Sequence, residues 1–194
     1  MSFTCILRGI GSACVVLVLA LFAGCAATMG QPQASIEDVQ AIRGAQLPPV
    51  AVGDFSLASG VDPAIDTSVG IRATSLKSPI DGSFAQYLRQ TLIAELRAAG
   101  LLEQTSPTMI QGVLADRQVD AGMRTGSGKL TARFTVKKRG TSVYDREFTA
   151  TSTWDSSFIG AVAIPAAINE FTLLFRKVVG MLLADPEFRK ALLS

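Results

Sequence analysis

The sequence predicts an α+β fold: a two-layer sandwich in which two amphipathic helices lie on one face of a mostly antiparallel sheet, in the order β-β-α-β-β-β-α. Two observations carry the helices and a third carries the sheet. Phe84, Leu88, Leu92 and Leu96 recur every fourth residue, and Ile164, Ile168, Phe171, Phe175, Val178 and Leu182 form a second stripe of helical period. Leu130, Ala132, Phe134 and Val136 alternate with Thr131, Arg133 and Thr135, the period of a strand with one wetted face. A helix with one apolar stripe and a sheet with one apolar face each need cover, and packing one on the other provides it.

Taken in order, residues 25–48 read as an N-terminus and tether punctuated by Gly30, Pro32, Pro48 and Pro49. Within it Ser35 can cap a short helix with Ile36, Val39 and Ile42 on one face; a linker without regular structure is the alternative. The folded domain is expected over residues 49–194. Its first strand is residues 50–57, where Val50 and Val52 alternate and Phe55 and Leu57 extend the apolar content. A loop rich in Gly, Asp, Pro and Ala covers 58–67, a short strand 69–74, and a turn Ser78-Pro79-Ile80-Asp81-Gly82. Ser83 caps the helix over 84–99, whose outer faces take Gln86, Arg89, Gln90, Glu95 and Arg97. Gly100 closes it in a left-handed conformation, with Leu101 packing back. Strands follow over 109–119, 129–137 and 143–154, the last two joined at Arg139-Gly140. In the third, Tyr144, Phe148, Ala150 and Trp154 share a face with Arg146. A helix over 164–183 takes Pro165 in its first turn, and Asp185-Pro186 opens a short terminal helix. The junction from Trp154 to Pro165 joins an aromatic, an apolar run and small residues. It reads either as a buried crossover or as an exposed apolar lip that meets a partner or lipid.

The first twenty-four residues have a different layout. Arg8 is the only charged side chain before Glu37, and an apolar run from Ala13 to Ala23 follows it. A basic start and a short apolar run are the plan of a cleaved secretory signal. The run is shorter than the roughly 20 residues a spanning helix needs. The mean hydropathy of +0.36 therefore owes much to a segment that is removed. The run ends in Leu21-Phe22-Ala23-Gly24-Cys25, which resembles the lipobox of bacterial lipoproteins: small residues before a Cys whose thiol carries a diacylglyceryl thioether. Phe22 stands where that family usually has Leu. The resemblance implies cleavage between Gly24 and Cys25, lipidation of Cys25, and anchoring to the lipid bilayer through the acylated residue. In enterobacterial lipoproteins an Asp after the Cys retains the protein in the inner membrane. By that likeness Ala26 implies the outer membrane, facing the periplasm.

Of the three cysteines, Cys5 and Cys14 leave with the signal and Cys25 is the acylation site, so the domain is expected to have neither a disulfide nor a free thiol. The 18 basic and 16 acidic residues nearly balance, and Lys137-Lys138-Arg139 is the only basic cluster. That leaves no footprint for nucleic acid. The absence of histidine removes Ser-His-Asp and Cys-His nucleophile systems and the commonest zinc ligand. Asp54, Asp62, Asp66, Asp116, Asp120 and Asp155 are the carboxylates open to acid–base work, yet none is spaced as a catalytic pair, and Asp54, Asp62 and Asp66 do not match a calcium loop. The stretch Gly122 to Lys129 fails as a phosphate loop: Met123 stands where its first Gly belongs, Leu130 where its Ser or Thr belongs, and a strand follows. No catalytic residue, metal or cofactor is expected.

Across the domain the chain resembles a group of short, uncharacterised proteobacterial lipoproteins, notably in Ser78-Pro79-Ile80-Asp81-Gly82-Ser83-Phe84, Trp154-Asp155-Ser156-Ser157-Phe158 and Ala163-Ile164-Pro165-Ala166. Its element order also resembles that of small periplasmic accessory lipoproteins, including those assisting lipopolysaccharide or lipid transport. These resemblances imply a non-enzymatic accessory or structural part of the cell envelope, with envelope proteins as partners; the alternative is a periplasmic module that binds a small ligand or lipid.

Overall fold

A computed structural model describes residues 26–193. Gly24, Cys25 and the segment expected to be an export signal lie outside the described residues. Along the chain the elements are β1 (Ala26–Thr28), α1 (Ile36–Gly44), β2 (Ala51–Leu57), α2 (Ala64–Thr67), β3 (Val69–Ile71), β4 (Thr74–Lys77) and α3 (Phe84–Ala99). They continue as β5 (Thr108–Asp120), β6 (Thr125–Lys138), β7 (Thr141–Asp155), α4 (Gly160–Ala184) and α5 (Pro186–Leu193). The fold is α+β. The main sheet has the order β2-β5-β6-β7, with β2 parallel to β5 and the other pairs antiparallel. A smaller sheet has the order β1-β4-β3.

Helices α3 and α4 lie side by side on one face of the main sheet, α3 over β2 and β5, α4 over β6 and β7. The alternation of β6 holds: Leu130, Ala132, Phe134 and Val136 are all buried beneath them. Between the helices Phe84, Tyr87, Phe171 and Phe175 form an aromatic cluster, with Phe175 at 5.0 Å from Tyr87, 5.4 Å from Phe171 and 6.2 Å from Phe84. The caps of α3 act as its sequence requires. Ser83 Oγ accepts from Gln86 N–H, and Gly100 takes φ 78° while Leu101 N–H reaches back to Leu96 O at 2.8 Å.

Two strand irregularities have a packing cause. Val52 and Phe55 are three residues apart yet both buried, which strict alternation forbids. A bulge between them restores the register: Val52 faces Ile110 and Phe55 faces Gly112. Gly112 leaves room for the ring, since a Cβ there would lie 2.2 Å from Phe55 Cε1. A second shift between Leu114 and Asp116 explains the uneven pattern of β5.

Several elements depart from expectation. Residues 26–48 form no loose tether: β1 pairs with β4, α1 packs on α3 and α4, and Met29, Val39, Ile42 and Leu47 are buried. Ile36 stays exposed although its spacing groups it with Val39 and Ile42. The strand expected over 69–74 is a hairpin, β3 and β4, turning at Arg72 with φ 53°. Helix α4 begins at Gly160, so Pro165 lies within it and not in its first turn. No side chain caps its start, so this end of the helix carries no local signal.

At the far end Asp185 separates α4 from α5. Its Oδ1 accepts from Glu187 N–H at 3.0 Å, capping α5, while Oδ2 accepts from Tyr144 Oη at 2.6 Å and Arg146 Nη1 at 2.9 Å. Burial pushes this carboxyl up, but the bonds from Tyr144, Glu187 and Arg146 outweigh it and hold it below the usual carboxylate range.

Candidate functional site

A groove of about 690 Å³ runs along α4 between α1 and the outer strand β7. Its floor mixes Arg176 and Lys177 with the apolar Leu173 and Met181, and Asp38 rises from the α1 side. A second hollow, of about 240 Å³, adjoins it through Arg176 and Leu173 and reaches Tyr87 and Thr91.

Around Arg176 lies a cluster of buried and half-buried ionisable groups drawn from three helices. Glu95 on α3 is fully buried, although its helical position assigns it to an outer face; α1 covers it. Its Oε1 accepts from Ser35 N–H at 2.7 Å. Ser35 is the N-cap of α1, so Glu95 places a carboxylate at a helix N-terminus, where the helix dipole favours negative charge. Glu95 Oε2 and Arg176 Nε are buried without a hydrogen-bond partner among the described residues. Asp38 lies against α4 where a side chain is missing: a Cβ on Gly180 would sit 3.0 Å from its Oδ2. Tyr87 donates to Gly30 O at 2.9 Å.

The electrostatics follow from burial. Burial pushes the Glu95 carboxyl up; the Ser35 N–H opposes this, Asp38 adds to it, and Arg176 opposes it. Asp38 is also raised, by burial first, with Arg176 pulling against it. Burial drives Tyr87 to about 12, again against Arg176. Arg176 thus faces two acids and a phenol that burial pushes up, and it opposes the shift in each.

A carboxyl raised in the folded state binds more protons folded than unfolded. Its stabilising effect is complete below the ordinary carboxylate range and is lost as pH rises through the raised value. Glu95→Gln keeps the acceptor for Ser35 and removes the titration. The melting temperature of the wild-type protein is therefore expected to fall more steeply than that of the Gln variant as pH rises above the ordinary carboxylate range. Parallel curves would refute a raised Glu95.

The carboxylates singled out in the sequence do not come together. Asp62 Oδ1 accepts from Ala64 N–H, Asp66 Oδ1 accepts from Ala85 N–H in the first turn of α3, and Asp116 pairs with Lys129 at 2.6 Å. Asp54, Asp120 and Asp155 are exposed. Among the described residues no cluster of His, Cys, Asp or Glu could hold a metal ion. Sequence reasoning passed over Asp38, Glu95 and Arg176, because only α1 docking across α3 and α4 joins them. The one local signal was Ser35 with Asp38 three residues on.

No family model matches the chain, and no curated protein matches it. Solved structures do. A Xanthomonas campestris protein of the DUF330 family superposes with a TM-score of 0.53 at 13% identity, over 81% of this chain and 94% of that one. A candidate lipoprotein of Caulobacter crescentus gives 0.42 at 12% identity, over 80% and 96%. A minor lipoprotein of Acinetobacter baumannii gives 0.36 at 15%, over 75% and 90%. The chain has the fold of the Xanthomonas campestris protein.

Proposed function

We propose that the protein is a lipoprotein of the cell envelope, held through acylated Cys25 on the periplasmic side of the outer membrane, where it acts as a non-enzymatic accessory in envelope assembly or transport. The observation that carries this reading is Leu21-Phe22-Ala23-Gly24-Cys25 at the end of an apolar run behind a lone Arg8. Among the described residues no helix is long and apolar enough to cross a membrane, so the acyl chains would supply the attachment. One chain binds weakly, at about 0.8 kcal/mol per buried CH₂, and several together hold for long times.

Cys25→Ala is expected to abolish the acyl mass of the membrane-extracted protein and release the product into the soluble fraction. Intact-mass spectrometry beside fractionation checks this. A wild-type protein that is cleaved but unacylated and soluble would overturn the reading.

A second reading, a module that binds a small ligand or lipid, is favoured by the groove beside α4. An amphipathic ligand fits it: Arg176, Lys177, Glu37 and Asp38 would meet a polar head and Leu173 and Met181 the tail. Native mass spectrometry of the purified protein tests for such a ligand, whose retention should fall on Arg176→Ala substitution.

A further inference from the structure

At the end of the main sheet where β5 turns into β6 and β7 leaves for α4, four large apolar side chains stand in solvent. Met123 is 68% exposed, Phe158 76%, Ile159 62% and Val162 57%. A monomeric protein tolerates such residues singly, but a contiguous set marks a contact surface. Met123 belongs to one loop, Phe158 and Ile159 to a second loop held beside it, and Val162 to the first turn of α4. Thr125 faces Asp155 at the last rung of the sheet, and beyond it Ser156 N–H donates to Arg124 O at 2.8 Å.

Arg72 clamps the two loops together. From the β3–β4 turn its guanidinium donates to Ala121 O at 2.8 Å and Gly122 O at 3.0 Å on one loop, and to Ser157 O at 2.5 Å and Phe158 O at 3.1 Å on the other. The planar fork of donors satisfies four backbone carbonyls at once. It fixes the backbone and leaves the apolar side chains outside.

The same turn marks where the chain enters the domain. Strand β1 runs parallel to β4, with Thr28 against Lys77 and Ala26 against Ser75. Followed back toward Cys25, it heads for the Arg72 turn. Cys25 is one peptide bond from Ala26, and no linker stands between the anchor and the folded body.

We propose that Met123, Phe158, Ile159 and Val162 form a membrane-contacting lip that enters the acyl region of the bilayer beside the lipid on Cys25, so that the domain rests on the membrane in one orientation. The proposal rests on the acylation of Cys25. An anchor without slack brings this end of the domain to the bilayer surface, and the surface that apolar side chains meet there is lipid. Arg124, exposed between the loops, falls at headgroup level, and Asp155, one rung behind, limits how deep the lip can go.

The test uses the full chain, extracted from membranes, weighed to establish acylation, and reconstituted into vesicles of phosphatidylethanolamine and phosphatidylglycerol with plain or brominated acyl chains. Phe158→Trp and Ile159→Trp report on the lip. Val143→Trp reports on the opposite end of β7, and the wild-type protein gives the Trp154 baseline. In the acylated protein the added emission at 158 or 159 is expected to shift to the blue and to be largely lost in brominated vesicles, while that at 143 is unchanged. Acylated protein whose added emission at both lip positions keeps its intensity would overturn the lip and leave it to a protein partner. Protein without acyl mass would overturn the anchor and the lip with it.

Discussion

Phe175→Ala is expected to lower the free energy of unfolding by about 3–5 kcal/mol, the range for removing a buried Phe. Phe175 is fully buried in the seam between α3 and α4, edge-on to Tyr87 and Phe171 and tilted to Phe84. Each aromatic pair adds about 0.5–1.5 kcal/mol beyond the area it buries. The surrounding rings are rigid, with few ways to collapse into the space left behind. Denaturant unfolding measures the loss, and a value under about 1 kcal/mol would show that the two helices close the gap. The consequence reaches the groove, because Tyr87 and Arg176 are positioned by the same pair of helices.

Asp185→Ala is expected to cost about 2–4 kcal/mol, combining a buried hydroxyl left without its acceptor with the loss of a helix cap. Tyr144 is buried and would keep its hydroxyl unpaired, and α5 would lose the carboxylate that accepts from Glu187 N–H. The ion pair with Arg146 adds little, since that side chain is 55% exposed and can return to water. Asp185→Asn keeps a cap and an acceptor and should lose less. Its pH behaviour separates the two roles. A carboxyl held low in the folded state stabilises above the ordinary carboxylate range and ceases to as pH falls through its lowered value. The Asn variant should therefore converge on the wild-type protein in acid because the wild-type protein loses stability as pH falls, whereas the Glu95 contribution is lost as pH rises.

The elements legible in the sequence are those whose signals are local. Helix α3 carries its stripe, its Ser83 cap and its Gly100 stop within 18 consecutive residues, β6 carries its alternation, and α5 opens at Asp185-Pro186 as its residues require. What escaped depends on distant partners. Ala26–Thr28 has no strand signal of its own and is a strand only because β4 offers an edge. The start of α4 is uncapped, and the apolar residues that would mark its inner face continue onto its exposed end at Val162. The bulges in β2 and β5 break the period that identifies strands. The candidate site was the least legible part, since Glu95 looks like an outward residue until α1 covers it. The Trp154–Pro165 junction had two readings, and the structure divides it: Phe158 and Ile159 are exposed, while Trp154, Ala163 and Ile164 pack against the core.

The docking of α1 also bears on the order in which the chain can assemble. Its anchoring contacts are all remote: Ser35 meets Glu95 across 60 positions, and Asp38 rests on Gly180. Contacts of such span form late, because the entropy of closing the intervening loop must be met first. A chain emerging N-terminus first would hold its leading segment unengaged until α4 had formed. On the proposed reading, in which Cys25 is acylated, that interval would leave the leading end open to modification before the last step of folding drew it against the completed body.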